Sequence, residues 1–176
     1  MTRTDWRLRL ARAADAPGMA EVEPDAASLF DSYEPFADFV LPPARNEDCY
    51  RKLIGRGHCL VATSEDTLVG FAAARPYGRE LHLHELSVRR AFQNGGLGGT
   101  LLQAVAIDAI NSGFRAITLC TFREVPWNAP FYRERGFVEV DDLDAHPRLR
   151  ASMDEAVAAG LPREMRVAMI RFLNLS

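Results

Sequence analysis

The chain has 176 residues, 48% hydrophobic and 26% charged, a composition that allows a substantial core without disulfide or metal staples. A net charge of -3 argues against nucleic acid as the main partner, and no apolar run reaches the roughly 18 residues of a membrane helix. Cys49, Cys59 and Cys120 lack paired spacing and charges occupy the N-terminus where a signal peptide would be apolar, so one cytoplasmic domain over residues 1–176 is expected, without disulfide framework or zinc site.

Residues 7–10 alternate as a short first strand. Asp15 is placed to cap a helix carrying Pro17 and Gly18 just inside it and Met19, Val22 and Ala26 at helical spacing. Residues 33–43, rich in aromatics and proline, read as a loop or broken helix. Asn46 can cap a second helix that runs through Ile54 and is stopped by Gly55 and Gly57. Residues 58–63 read as a strand, Ser64, Glu65 and Asp66 as a turn, and 68–75 as the hairpin partner. After Pro76, Tyr77 and Gly78 comes a strand over 81–88, then a glycine-rich loop, then a helix over 97–111 with Leu97, Leu101 and Val105 on one stripe. Residues 116–122 are nearly all apolar, as in a strand covered on both faces. A short helix over about 128–135, a strand over 137–140 and a last strand over 164–172 follow. The segment 141–160, acidic and then helical, matches no signature.

The loop Gln93-Asn94-Gly95-Gly96-Leu97-Gly98-Gly99-Thr100 lies between a strand and a helix. Its glycines permit positive φ and close backbone approach, and the helix adds free N–H groups and the positive end of its dipole, so the loop suits a phosphate. A dinucleotide fingerprint would need glycine where Leu101 stands, and a P-loop needs a lysine that this chain, with Lys52 alone, does not place there. Gln93, Gly96 and Gly98 instead form a Gln-x-x-Gly-x-Gly pattern. One helix and one strand further on, Phe131-Tyr132-x-x-x-Gly136-Phe137 gives a second pattern in the right order. With both, the chain resembles the GNAT superfamily of N-acetyltransferases.

The resemblance implies an α/β GNAT fold: a central, mixed, twisted sheet of about seven strands flanked by helices and splayed between the fourth and fifth. It implies acetyl-CoA as cosubstrate, no metal, and transfer to a primary amine by direct attack in a ternary complex. Gln93, Asn94, Gly95, Gly96, Leu97, Gly98, Gly99 and Thr100 would then hold the pyrophosphate, and the backbone of Leu86 and Val88 the pantetheine arm. Many family members carry Asn seven residues before the Tyr; that position is Val125 here, and Asn128 is the candidate cofactor contact instead.

Acetyl transfer needs an acid for the departing sulfur and a base for the amine. Tyr132 matches the family's acid. Glu85 is the candidate base, in a strand whose apolar neighbours would raise its pKa, unless an arginine such as Arg79 pairs with it. Alternation puts His82 and His84 on one face and Leu81, Leu83 and Glu85 on the other, and either histidine, or water, is an alternative base. Phe30, Tyr33, Phe36 and Phe39 either line the acceptor pocket or pack their loop on the core. The acceptor, a small-molecule or peptide amine, is not legible, nor is a homodimer. Rival readings are a catalytically silent acyl-CoA-binding module and a transferase of another acyl group.

Overall fold

The computed structural model describes residues 5–173; residues 1–4, part of the N-terminus read as unlike a signal peptide, lie outside them. Seven strands, β1 (Arg7–Leu10), β2 (Leu60–Ser64), β3 (Thr67–Tyr77), β4 (Glu80–Val88), β5 (Ala116–Phe122), β6 (Val138–Glu139) and β7 (Arg166–Phe172), form one sheet in the order β1-β2-β3-β4-β5-β7-β6. Only β4 and β5 run parallel; every other pairing is antiparallel. The helices are α1 (Ala16–Ala27), α2 (Glu47–Ile54), α3 (Leu97–Asn111), α4 (Ala129–Arg133) and α5 (Pro147–Ala158). None of the described helices is long and apolar enough to cross a membrane.

Local chemistry accounts for most boundaries. Asn46 caps α2 by accepting from the Cys49 amide at 3.0 Å. The β2–β3 hairpin turns on Glu65 and Asp66, at φ 47° and 64°, the primed geometry that matches strand twist. Asp15 departs from its expected role. Its carboxylate accepts from Arg9 at 2.7 and 2.8 Å and from the Arg12 amide at 2.7 Å, and it makes no side-chain cap on α1.

The two faces of the sheet bury different cores. Leu97, Leu101, Leu102, Val105 and Ala109 of α3 pack on Leu81, Leu83, Ile117 and Leu119. On the opposite face Met19 and Val22 of α1 and Tyr50 of α2 cover Val61, Phe71 and Ala73. Each fully buried large aliphatic or aromatic side chain contributes about 1.5–3 kcal/mol, so these two layers fix α1 and α3 on opposite sides of β4.

Candidate active site

Two irregularities in β4 open the site. Its ladder to β5 runs only through Glu80↔Ala116, Leu81↔Ile117 and His82↔Thr118, after which the strands part. Opposite β3, Ala74 faces Leu83 while Ala73 faces Glu85, so His84 is the extra residue of a β-bulge. The bulge resets the alternation. Leu83 and Leu86 stay on the α3 face, and Glu85 turns with the histidines toward α1 rather than sharing the leucine face. A cleft of about 860 Å³ fills the splay, within the range of small-molecule sites.

The glycine loop floors one end of the cleft. Gly96 is the N-cap of α3 at φ 86°, and Asn94 also has positive φ, at 63°. A Cβ added at Gly96 would meet nothing within 4 Å, and one at Gly98 nothing closer than Phe131 at 3.8 Å, so space above both belongs to whatever binds there. The Gln93 amide group donates to the Val88 carbonyl at 2.9 Å and braces the loop against the end of β4. Leu86, Val88, Asn94, Leu97, Gly99 and Asn128 also border the cleft. Gly95 instead turns toward Trp6, and Thr100 bonds the Gly96 carbonyl at 3.1 Å beside a shallower groove along α3. Arg135, which motif spacing did not single out, stacks on Phe131 at 3.8 Å and comes within 3.4 Å of a Cβ on Gly99.

Glu85 is paired, with Arg45 rather than Arg79. Arg45 Nη1 lies 3.0 Å from Glu85 and 3.4 Å from Glu23, and the Arg45 amide donates to Glu23 at 2.9 Å. Ser87 donates to Glu85 at 2.8 Å, and the Tyr50 hydroxyl donates to Glu23 at 2.5 Å. Burial, then the nearby Glu85 charge, raises the pKa of Glu23. Arg45 sits in the stretch before the α2 cap, and only the fold brings it to β4.

The histidines have other duties. Arg148 of α5, a pure donor, points Nη1 at His82 Nδ1 from 3.1 Å, so that nitrogen is the acceptor of a neutral ring. Thr118 lies 2.9 Å from both His82 Nδ1 and Arg148 Nη2, and Glu80 completes the Arg148 ion pair. Burial, then His84 and Arg148, lowers the His82 pKa to about 3; burial, then Arg45, lowers that of His84 to about 4. Both rings are therefore neutral near pH 7 and are weak bases there. The 141–160 segment thereby gains a role: Arg148 pins α5, and Ser152, Glu155 and Ala156 wall the cleft.

Tyr132 stands opposite β4, its ring packed edge-on against Phe131 and Phe137. Its hydroxyl makes no hydrogen bond to another described residue, and the side chain borders the cleft. Burial, then the Glu85 charge, raises its pKa and keeps it a phenol. Asn128 accepts from Thr121 at 2.6 Å and holds the turn into α4. Of the four aromatics before α2, Phe30 borders the cleft, while Tyr33, Phe36 and Phe39 pack with Phe122 and Trp127. No group of three or more His, Cys, Asp and Glu side chains suited to a metal occurs among the described residues.

Residues 24–137 match the family model described as the acetyltransferase (GNAT) family. Among solved structures, the PaiA N-acetyltransferase from Thermoplasma acidophilum in complex with coenzyme A is 16% identical, with 96% of this chain and 99% of that chain covered and a TM-score of 0.68. The ribosomal-protein-S18-alanine N-acetyltransferase from Escherichia coli gives 16% identity, 98% and 96% coverage and a TM-score of 0.71. The N-acetylglutamate synthase from Neisseria gonorrhoeae, complexed with coenzyme A and N-acetyl-glutamate, gives 18% identity and a TM-score of 0.71, over 98% of this chain but 36% of that one. At these identities the likeness shows the fold.

Proposed function

We propose that this chain, which belongs to the acetyltransferase (GNAT) family, transfers the acetyl group of acetyl-CoA to a primary amine by direct attack in a ternary complex. The single observation that carries the reading is that one cleft joins the glycine loop to Tyr132 and Glu85. Open space above Gly96 and Gly98 fits a pyrophosphate on the loop amides, and Arg135 supplies a cation beside it. The complexes of the Thermoplasma and Neisseria proteins with coenzyme A favour the same ligand.

Bound acetyl-CoA supplies the activated acyl group and a thiolate leaving group. Loop residues 93–100 and the backbone of Leu86 and Val88 orient it, and Asn128 fixes the turn that presents Tyr132. Glu85, directly or through one water, takes the proton the amine must lose. Tyr132 donates a proton to the sulfur as the C–S bond breaks and the N–C bond forms. Release of free thiol from acetyl-CoA with a panel of amines tests the reading. Turnover is expected, and Glu85→Gln is expected to lower it by about 10²–10⁴-fold, less so at high pH where the amine is already neutral. Coenzyme A binding without thiol release in the presence of any amine would instead identify an acyl-CoA-binding module.

A further inference from the structure

Three arginines border the cleft, and two are satisfied. Arg45 pairs with Glu23 and Glu85, and Arg135 donates to the Phe131 carbonyl at 2.9 Å. Arg166, at the start of β7, is different. No ion pair or hydrogen bond joins its side chain to another described residue, and its Nε is buried without a partner. Its guanidinium carbon lies 4.7 Å from the centroid of the Phe122 ring, which holds the group at the cleft wall.

A guanidinium stays charged under almost any burial, so a desolvated one without a counter-ion is a standing cost. Burial lowers its pKa, with Cys120 and then Glu85 acting against that shift, and Glu85 borders the same cleft. Glu85, however, is already engaged by Arg45 and Ser87. Glu155 of α5 also borders the cleft but is exposed and makes no bond to Arg166. Cys120 also acts on Arg166, as a thiol that burial keeps protonated, and Phe30, Phe122, Trp127 and Leu161 of the same cleft are apolar. One guanidinium in apolar walls matches a single negative charge, and its planar fork matches a planar carboxylate better than a doubly charged phosphate.

We propose that Arg166 is the anchor for a carboxylate on the acceptor, which makes the substrate class a primary amine that carries a carboxylate, an amino-acid-type zwitterion. This rests on the acetyl-transfer reading above. The acceptor then lies between two opposite charges, its amino group toward Glu85 and Tyr132 and its carboxylate on Arg166. Phe30 and Trp127, in contact with each other at 5.2 Å, flank the space left for the rest of the molecule.

The test measures binding apart from turnover. N-acetyl amino acids with aliphatic, aromatic, acidic and basic side chains, and the uncharged amide of each, are titrated by calorimetry into the protein saturated with coenzyme A. At least one acid is expected to bind ten-fold or more tighter than its amide. Arg166→Ala is expected to erase that difference and Arg166→Lys to restore part of it, with coenzyme A affinity unchanged in both. Equal binding of acid and amide throughout the panel, no binding by any acid, or a preference that survives Arg166→Ala would overturn the assignment. Thiol release with the parent amino acids and with their decarboxylated amines is measured in parallel. Turnover of the decarboxylated amines with no preference for acids would leave the transferase reading standing and sink Arg166 alone. An Arg166-dependent acid preference without any thiol release would sink the transferase reading and keep the anchor.

Discussion

Arg45 sets a guanidinium nitrogen 3.0 Å from the carboxylate of Glu85, and this contact joins the stretch before α2 to the bulged middle of β4. The same nitrogen reaches Glu23 at 3.4 Å, so one cation separates two carboxylates. If Glu85 works as the base, Arg45 fixes where its carboxylate stands. Arg45→Gln leaves the two carboxylates facing each other with no cation between them. kcat/KM is expected to fall by about ten-fold or more, with coenzyme A affinity held. A kcat/KM equal to wild type would assign Arg45 to packing alone.

Tyr132→Phe removes one oxygen and keeps the ring packed on Phe131 and Phe137. The hydroxyl has no bond to another described residue to lose, so stability and coenzyme A affinity are expected to hold. Turnover is expected to fall by about 10²–10⁴-fold if the phenol protonates the sulfur. Turnover equal to wild type with an accepted amine would move that proton to water or to the departing ammonium.

The loop glycines separate by the reason each is glycine. Gly96 sits at φ 86°, so Gly96→Val should cost about 1–3 kcal/mol of stability whether or not ligand is present. At Gly98 a Cβ meets Phe131 and Val88 only at ordinary contact distances, 3.8 and 3.9 Å. Gly98→Ala should therefore fold normally yet bind coenzyme A more weakly, by about ten-fold or more, as the methyl blocks approach to the amides. Calorimetry together with urea unfolding distinguishes the two. Full coenzyme A affinity in Gly98→Ala would remove the phosphate from this part of the loop.

What the sequence made legible was local. The β-α-β order followed from periodicity, the α2 cap from Asn46, and the nucleotide-type loop from glycine spacing. Two features hid because they depend on pairing. A bulge at His84 cannot be seen without β3 opposite, so alternation put Glu85 on the wrong face. The arginines that border the cleft, Arg45, Arg135 and Arg166, and Arg148 beside His82 come from three loop or helix segments and a strand start that only the fold brings together. The unassigned 141–160 segment is the plainest case. Its contact with the sheet rests on Arg148, Leu149 and Met153, whose partners Thr118, Cys120 and Ala168 lie in β5 and β7.

The neutral histidines give the fold a pH dependence with a defined sign. His82 and His84 have folded pKa values lowered from 6.5 to about 3 and about 4. A group depressed on folding contributes stability that is complete above its unfolded pKa and is lost as pH falls toward the folded one. Stability should thus be flat above about pH 7 and decline between about 6.5 and 4. The slope approaches about 2.7 kcal/mol per pH unit where the unfolded chain holds two protons more than the folded one. Asp15 and Glu139, held below the usual carboxylate range by bonds from Arg9 and Arg133, add to the loss only at lower pH. Glu23 works the other way, since its raised pKa favours the fold as it protonates, so it softens the decline at the acid end. Urea unfolding at pH 7, 6 and 5 reads this window, and His84→Gln, which removes one of the two titrating rings, should roughly halve the slope. A midpoint that stays constant from pH 7 to 5 would mean that both rings take up their protons inside the fold, which the Arg148–His82 contact and the buried Nε2 of His84 oppose.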